Sequence, residues 1–471
     1  MPPVTDRDRT AHLLRRFGLG ASQAEVDFYG EKGYANAVEH LLNFEAVDEG
    51  FDLDLQRLVT PQGNVPLRVL QAWWVLRLCV TQRPLQEKLT LFWHDHFATS
   101  AQKVDVVPPM LAQNELFRTY GLGRFPILLE HVSKDPAMLY WLDNQFNVKG
   151  KPNENFAREV MELFTLGIGH YTELDIQEAA RAFTGWTFAA GGRRTTEKPR
   201  RRAEYKFRPE QHDDGRKSVM GQAGNWNGDD VLRLLADQPQ TARHLVIKLW
   251  EWFVYPQPAP ALVERLTAVY RDAGLDTRAL LRAIMLSSEF VSERAMRAIY
   301  KNPIDFCVAT YRQLGVGKLV MDRIRAQEEG QNLLPSLGPI NILATSARSM
   351  GMDILYPPDV AGWDGGAAWI SSATMVERLK WAERLFGARR AGQPALQFAA
   401  LPLFDGATDA KGLVAALLDL FDANLPAAKQ QQLVKAAERA LAGEPIGARN
   451  ANAAALAVTQ LLFGSPEFQF C

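Results

Sequence analysis

The 471-residue sequence predicts a mainly α protein: one large multi-helix domain with a small β-hairpin/loop insertion, and a C-terminal helical bundle. Three observations predict it. Apolar residues recur at helical spacing along most of the chain. Strand-type alternation is never sustained. Only the segment 186–226 loses the helical period, and it is rich in Gly, Arg and Lys. The expected layout is a main helical domain over 1–390, with 186–226 inserted in it, and a helical segment over 391–471 packed on it.

The elements follow in order. Ser22 with Glu25 reads as a capping box ahead of a helix running to about Gly30. Residues 66–81 (PLRVLQAWWVLRLCVT) form a strongly apolar helix opened by Pro66, and Pro84 opens the next, LQEKLTLFWHDHF. Helices are expected near 109–119, 125–131, 154–166 and 173–185, punctuated by Gly121, Gly123, Gly167 and Gly169. Within 186–226, AEYKF and KSVMG are candidate strands of a small hairpin. The run RRTTEKPRRR (193–202) reads as a solvated loop. Helices resume at Asp229 and continue to about 385, broken by LYPPDVAGWDGGAAW (355–369). After Gly392 the chain is Ala- and Leu-rich. LLRAIMLSSEF (280–290) resembles TQLLFGSPEF (459–468): each is an apolar helix that stops at Ser-Ser or Ser-Pro, then Glu-Phe.

Composition bounds the function classes. Net charge is -1, so the molecule as a whole is no electrostatic nucleic-acid binder. The three cysteines, Cys79, Cys307 and Cys471, are far apart and suggest neither a zinc knuckle nor a disulfide framework. The N-terminal stretch has no apolar core of signal length, and no window reaches the roughly 18 apolar residues of a membrane span. A cytoplasmic protein without a transmembrane segment is the expectation.

Four stretches carry polar groups that chemistry can use. In NENFAREVMELFTLGIGHYTE (153–173), a helical wheel puts Phe156, Val160, Leu163 and Phe164 on one side. Asn155, Arg158, Glu159 and Glu162 fall on the other, with Asn155–Glu159 and Arg158–Glu162 spaced i,i+4. The bland reading is a water-facing stripe; the sharper one is a carboxylate ledge. Gly167 ends this helix and Thr172 with Asp175 caps the next, so His170 sits in a very short connection, where a neutral imidazole is favoured. In WHDHF (93–97), helical spacing sends His96 inward with Leu85, Leu89, Trp93 and Phe97. His94 and Asp95 are then the freer groups, and the two histidines cannot share one ion on a regular helix. HDDGRKSVMGQAGNWNGDD (212–230) offers His212 and Asp213 before a Gly-rich turn; it is neither a P-loop nor an EF-hand. YPPDVAGWDGGAAW (356–369) presents Trp363 and Trp369, either as core plugs or as stacking platforms.

NENFAREVMELFTLGIGHYTE, WHDHF, AARAFTGW, the HDDG…GDDVL segment and PPDVAGW together resemble the bacterial domain-of-unknown-function 1800 family, from HLLRRFGLG to SPEF. The resemblance implies a mainly helical protein without a known reaction. It also implies a sulfatase-like companion protein, and export signals in some relatives. From the residues, the leading expectation is a metal-assisted hydrolase or transferase acting on a polar substrate. Glu159, Glu162 and His170 would be catalytic, and Asn155, Arg158, His212, Asp213 and Trp363 would bind substrate. His94, Asp95, Glu159 and Glu162 would hold a hard divalent ion. The competing expectation is a non-catalytic glycan- or protein-binding module using Trp363 and Trp369.

Overall fold

In the computed structural model the described residues are 5–60, 62–189, 203–328, 330–388, 396 and 398–471. The run 193–202, read above as a solvated loop, lies outside them. Among the described residues helix dominates, and β-strands are confined to two antiparallel two-stranded hairpins. Both fall inside 186–226, as the loss of helical period there predicts. They divide it differently from the expected single hairpin. Glu204–Phe207 (the AEYKF stretch) pairs back to Trp186–Ala189, in register Trp186↔Phe207 and Ala189↔Glu204. Lys217–Val219 pairs with Gln222–Gly224.

The chain forms two compact units, each assembled from separated stretches. One contains Met1–Pro84, Val291–Asp353 and Asp364–Cys471. At its centre is the helix Leu67–Val80, with every residue from Leu70 to Cys79 buried. A helix apolar nearly all round must be enclosed on all sides. Pro303–Gln313, Val316–Arg325 and Gly338–Ser349 enclose it. In the same unit, helix Ala451–Gly464 packs on Ser372–Phe386 and Ala427–Leu441.

The other unit contains Leu85–Phe290 and Ile354–Trp363. The capping box of Thr172 and Asp175 is present, as is that of Ser22 and Glu25 in the first unit. A third, Asn227 with Asp230, starts the helix Gly228–Ala236. Leu89, Trp93, Phe156, Val160 and Phe164 are buried as expected. Leu163 is only half-buried, while Met161, which the wheel leaves outside the apolar face, is fully buried. The cause is a change of helix type, described below. The two similar helix ends are built alike: Ser287 Oγ donates to Ile284 O at 2.7 Å, and Ser465 Oγ donates to Leu462 O at 2.7 Å. Phe290 and Phe468 are then buried in their respective units.

Candidate acid–base site

The candidate residues lie in the unit formed by Leu85–Phe290 and Ile354–Trp363. The helix of the opening motif is α-helical only over Asn155–Glu159; from Val160 to Thr165 it is a π-helix. Leu166 N–H donates to Met161 O at 2.9 Å, five residues back, and Thr165 Oγ1 donates to Val160 O at 2.6 Å. A π turn takes in more residues than an α turn and often marks a functional site. Beyond residue 160 the 100° wheel no longer applies. That is why Met161 turns inward and Leu163 partly outward.

The same change undoes the expected Arg158–Glu162 pair. The Arg158 guanidinium reaches Glu173 at 2.7 and 3.0 Å and Glu154 at 3.3 Å. Glu162 instead accepts a hydrogen bond from the Tyr171 hydroxyl. Asn155 is exposed; its side chain makes no hydrogen bond with a described residue, and its backbone N–H donates to Asn153 Oδ1 at 3.0 Å. Glu159 is half-buried and accepts no hydrogen bond from a described residue. Burial pushes its carboxyl up to about 6, and the charges of Glu162 and Asp359 push the same way against Arg158. The carboxylates whose charge Glu159 feels are thus Glu162, on the same π-turn helix, and Asp359, on the 354–363 segment.

The helix end leaves carbonyls without intrahelical donors. His96 Nε2 donates to Phe164 O at 3.2 Å, His244 Nε2 to Leu163 O at 3.3 Å, and Gln240 Nε2 to Leu166 O at 2.9 Å. Burial is the main cause holding both imidazoles neutral, His244 at about 4 and His96 well below its ordinary value. Gly167 has φ +84°, and a Cβ there would lie 2.9 Å from His244 Nδ1, so the helix stops on a glycine for two reasons. His170, in the exposed turn that follows, adds its charge to the lowering at His244.

WHDHF grips the PPDVAGW segment. Leu355 N–H donates to His94 Nε2 at 3.0 Å, which fixes that nitrogen as an unprotonated acceptor. Burial takes His94 down to about 3. Trp363 N–H donates to Asp95 Oδ1 at 2.8 Å, and the Trp363 ring lies 5.6 Å from the His94 ring. A Cβ on Gly362 would fall 2.4 Å from Asp95 Oδ1, so only glycine permits this approach. Burial raises Asp95 to about 6, opposed by the Trp363 N–H and by Lys248. His94 and Asp95 are thus anchors for the 354–363 segment and not the freer groups expected of them. An Asx turn, Ala361 N–H to Asp359 Oδ1 at 2.8 Å, shapes its tip.

A family model described as "Protein of unknown function (DUF1800)" matches residues 12–470. The chain belongs to this family. Searches of curated proteins and of solved structures gave no match. Among the described residues no helix is long and apolar enough to cross a membrane.

Not every expected site residue of this DUF1800 chain lies with the carboxylates. His212 is buried, with Nδ1 donating to Thr184 O at 2.9 Å. Asp213 takes a two-pronged bond from Arg181 (2.9 and 3.2 Å) and a bond from Gly215 N–H. The Arg181 guanidinium holds its carboxyl at about 2. Together with Ser218 N–H on Glu178 and Met220 N–H on Asp175, these bonds fasten the second hairpin to helix Glu173–Ala182. Trp369 is buried in the other unit, so it and Trp363 do not belong to one unit. Among the described residues no group of three or more His, Cys, Asp or Glu side chains is arranged to hold a metal ion. The expected ligand set of His94, Asp95, Glu159 and Glu162 is not assembled, because the first two are turned to backbone N–H groups. Sequence reading missed Tyr171, Asp359, His244 and Gln240. Tyr171 and Asp359 stand inside motifs already singled out; nothing local marks His244 or Gln240.

Proposed function

We propose that this protein is a hydrolase or transferase acting on a polar substrate by acid–base catalysis at Glu159 and Glu162. The observation that carries the reading is the state of Glu159. Its carboxyl is pushed to about 6 by burial and two neighbouring carboxylates, and it accepts no hydrogen bond from a described residue. A carboxyl with that affinity exchanges protons near neutral pH, where an ordinary one is fully ionised. Protonated, Glu159 would give its proton to a departing oxygen. Glu162, aimed by the Tyr171 hydroxyl, would take a proton from an attacking water or substrate hydroxyl. Asp359 keeps the Glu159 proton in place by like-charge repulsion. His170, exposed in the turn that follows the π-helix, is suited to contact substrate, and Arg158 stiffens the ledge through Glu173.

The test is a screen of the purified chain against chromogenic phosphate, sulfate, ester and glycoside substrates, with Glu159→Gln as the control. Turnover by the parent protein and a loss of about a hundredfold or more in the variant supports the reading. A parent and variant indistinguishable on every substrate would favour the assembly-module reading, with a sulfatase-like companion as the partner to seek.

A further inference from the structure

The unit formed by Met1–Pro84, Val291–Asp353 and Asp364–Cys471 holds a buried amine that has no part in the acid–base reading. Lys301 N–H donates to Gln469 O at 2.8 Å, and Cys471 N–H donates to Ile299 O at 2.9 Å. This pairing of 299–301 with 469–471 keeps the Lys301 side chain inside, 8% exposed. A lysine is almost never buried so far without a partner for its charge. Yet the Lys301 side chain makes no hydrogen bond or ion pair with a described residue, and its Nζ rests 3.6 Å from the centre of the Phe468 ring.

Lys301 and Phe468 line a cavity of about 20 Å³. That is room for a molecule of roughly one to three heavy atoms. Phe306, Ala309 and Phe421 make much of the wall apolar. The amine lies at this space, since Arg15, Asp422 and Cys471, whose charges reach it, line it too. Asp422 is held by Arg15, at 2.6 Å, and its carbonyl by Arg297, at 2.7 Å; Asp305, the other acid of the lining, accepts from Asn302 Nδ2 at 2.8 Å. Burial takes the Lys301 ammonium down to about 7, and Arg297 and Arg15 push the same way against Cys471 and Asp422. An amine in that state is uncharged for much of the time near neutral pH, and the uncharged form is a nucleophile. Two guanidinium groups that repel an ammonium attract an anion at the same place.

We propose that Lys301, at this cavity, takes up carbon dioxide as a carbamate. The Nζ lone pair forms an N–C bond, one C=O π pair moves onto oxygen, and Nζ gives up one proton to solvent; nothing is oxidised or reduced. Carbon dioxide is neutral, apolar and three atoms long, which suits a small space walled by aromatic rings. The product puts a negative charge where Arg15 and Arg297 act on the amine, so their repulsion becomes attraction.

Chemical trapping tests this. The full chain is equilibrated with ¹³C-bicarbonate at pH 7.5, carbamates are fixed by ethylation with a trialkyloxonium salt, and the peptides are read by mass spectrometry. An ordinary lysine is only about 0.1% uncharged at that pH. The expected result is an ethyl carbamate on Lys301 at least about tenfold above that on every other lysine. Dissolved carbon dioxide should also raise the Tm of the parent chain over that in chloride of equal ionic strength, and leave the Tm of Lys301→Met unchanged. The trapping needs no variant, so it decides the matter even where Lys301→Met fails to fold. Label confined to the terminal amine, label on Lys301 no greater than on other lysines, or a Tm response that Lys301→Met retains would each overturn the proposal.

Discussion

At the scale of single residues, Glu159 sets function against stability. Its carboxyl is raised in the folded chain from 4.5 to about 6. A raised carboxyl contributes stability that is complete below pH 4.5 and is lost as pH rises through 6. At pH 8 the ionised group therefore destabilises the fold; water screens this half-exposed carboxylate, so the effect is reduced to about 1 kcal/mol. Glu159→Gln removes the charge and keeps the volume. It should raise stability by about that amount at pH 8 and leave it unchanged at pH 4, as read from denaturant melts. Equal differences at both pH values would count against the raised carboxyl. Tyr171→Phe should lower turnover while leaving the pH midpoint set by Glu159 in place, since Tyr171 touches only Glu162 of the pair. The sequence singled out Glu159 and Glu162 by face and spacing, and the two do influence each other. Their partners were not legible, because the i,i+4 rule assigned Arg158 to Glu162 and a π turn does not obey it.

At the scale of elements, the stability of the site depends on how one helix ends. Phe164 is 1% exposed, so Phe164→Ala should cost roughly 3–5 kcal/mol. His244→Ala leaves Leu163 O without its donor and should cost about 1–3 kcal/mol. A loss within ~0.5 kcal/mol for His244→Ala in denaturant melts would mean that the histidine does not cap the helix. The start of the following helix was legible, since Thr172 and Asp175 cap it with atoms three residues apart. The π-helix was not, because apolar spacing carries no sign of an i→i+5 bond. Nor was the grip of His94 and Asp95 on Leu355 and Trp363, whose partners are more than 250 residues away in sequence. Two motifs read as separate candidate sites are halves of one construction. The glycine of PPDVAGW was the available hint, since Gly362 admits Asp95 where no side chain fits.

At the scale of the whole molecule, helical periodicity was enough to read the class, and the single aperiodic segment marked where the hairpins lie. The division into two units escapes a linear reading, because the chain leaves the first unit at Pro84 and returns to it twice. The acid–base reading needs no metal. Dialysis against a chelator should leave turnover unchanged; loss of activity that Mg²⁺ restores would revive the metal-assisted expectation. Everything in the acid–base reading turns on the Glu159 carboxyl releasing its proton at about pH 6, well above an ordinary glutamate, and that titration can be followed directly. In a chain labelled with ¹³C at the glutamate carboxyls, the resonance missing from Glu159→Gln is titrated by NMR. The expected midpoint is about 6. A midpoint at an ordinary glutamate value, about 4.3, would contradict it.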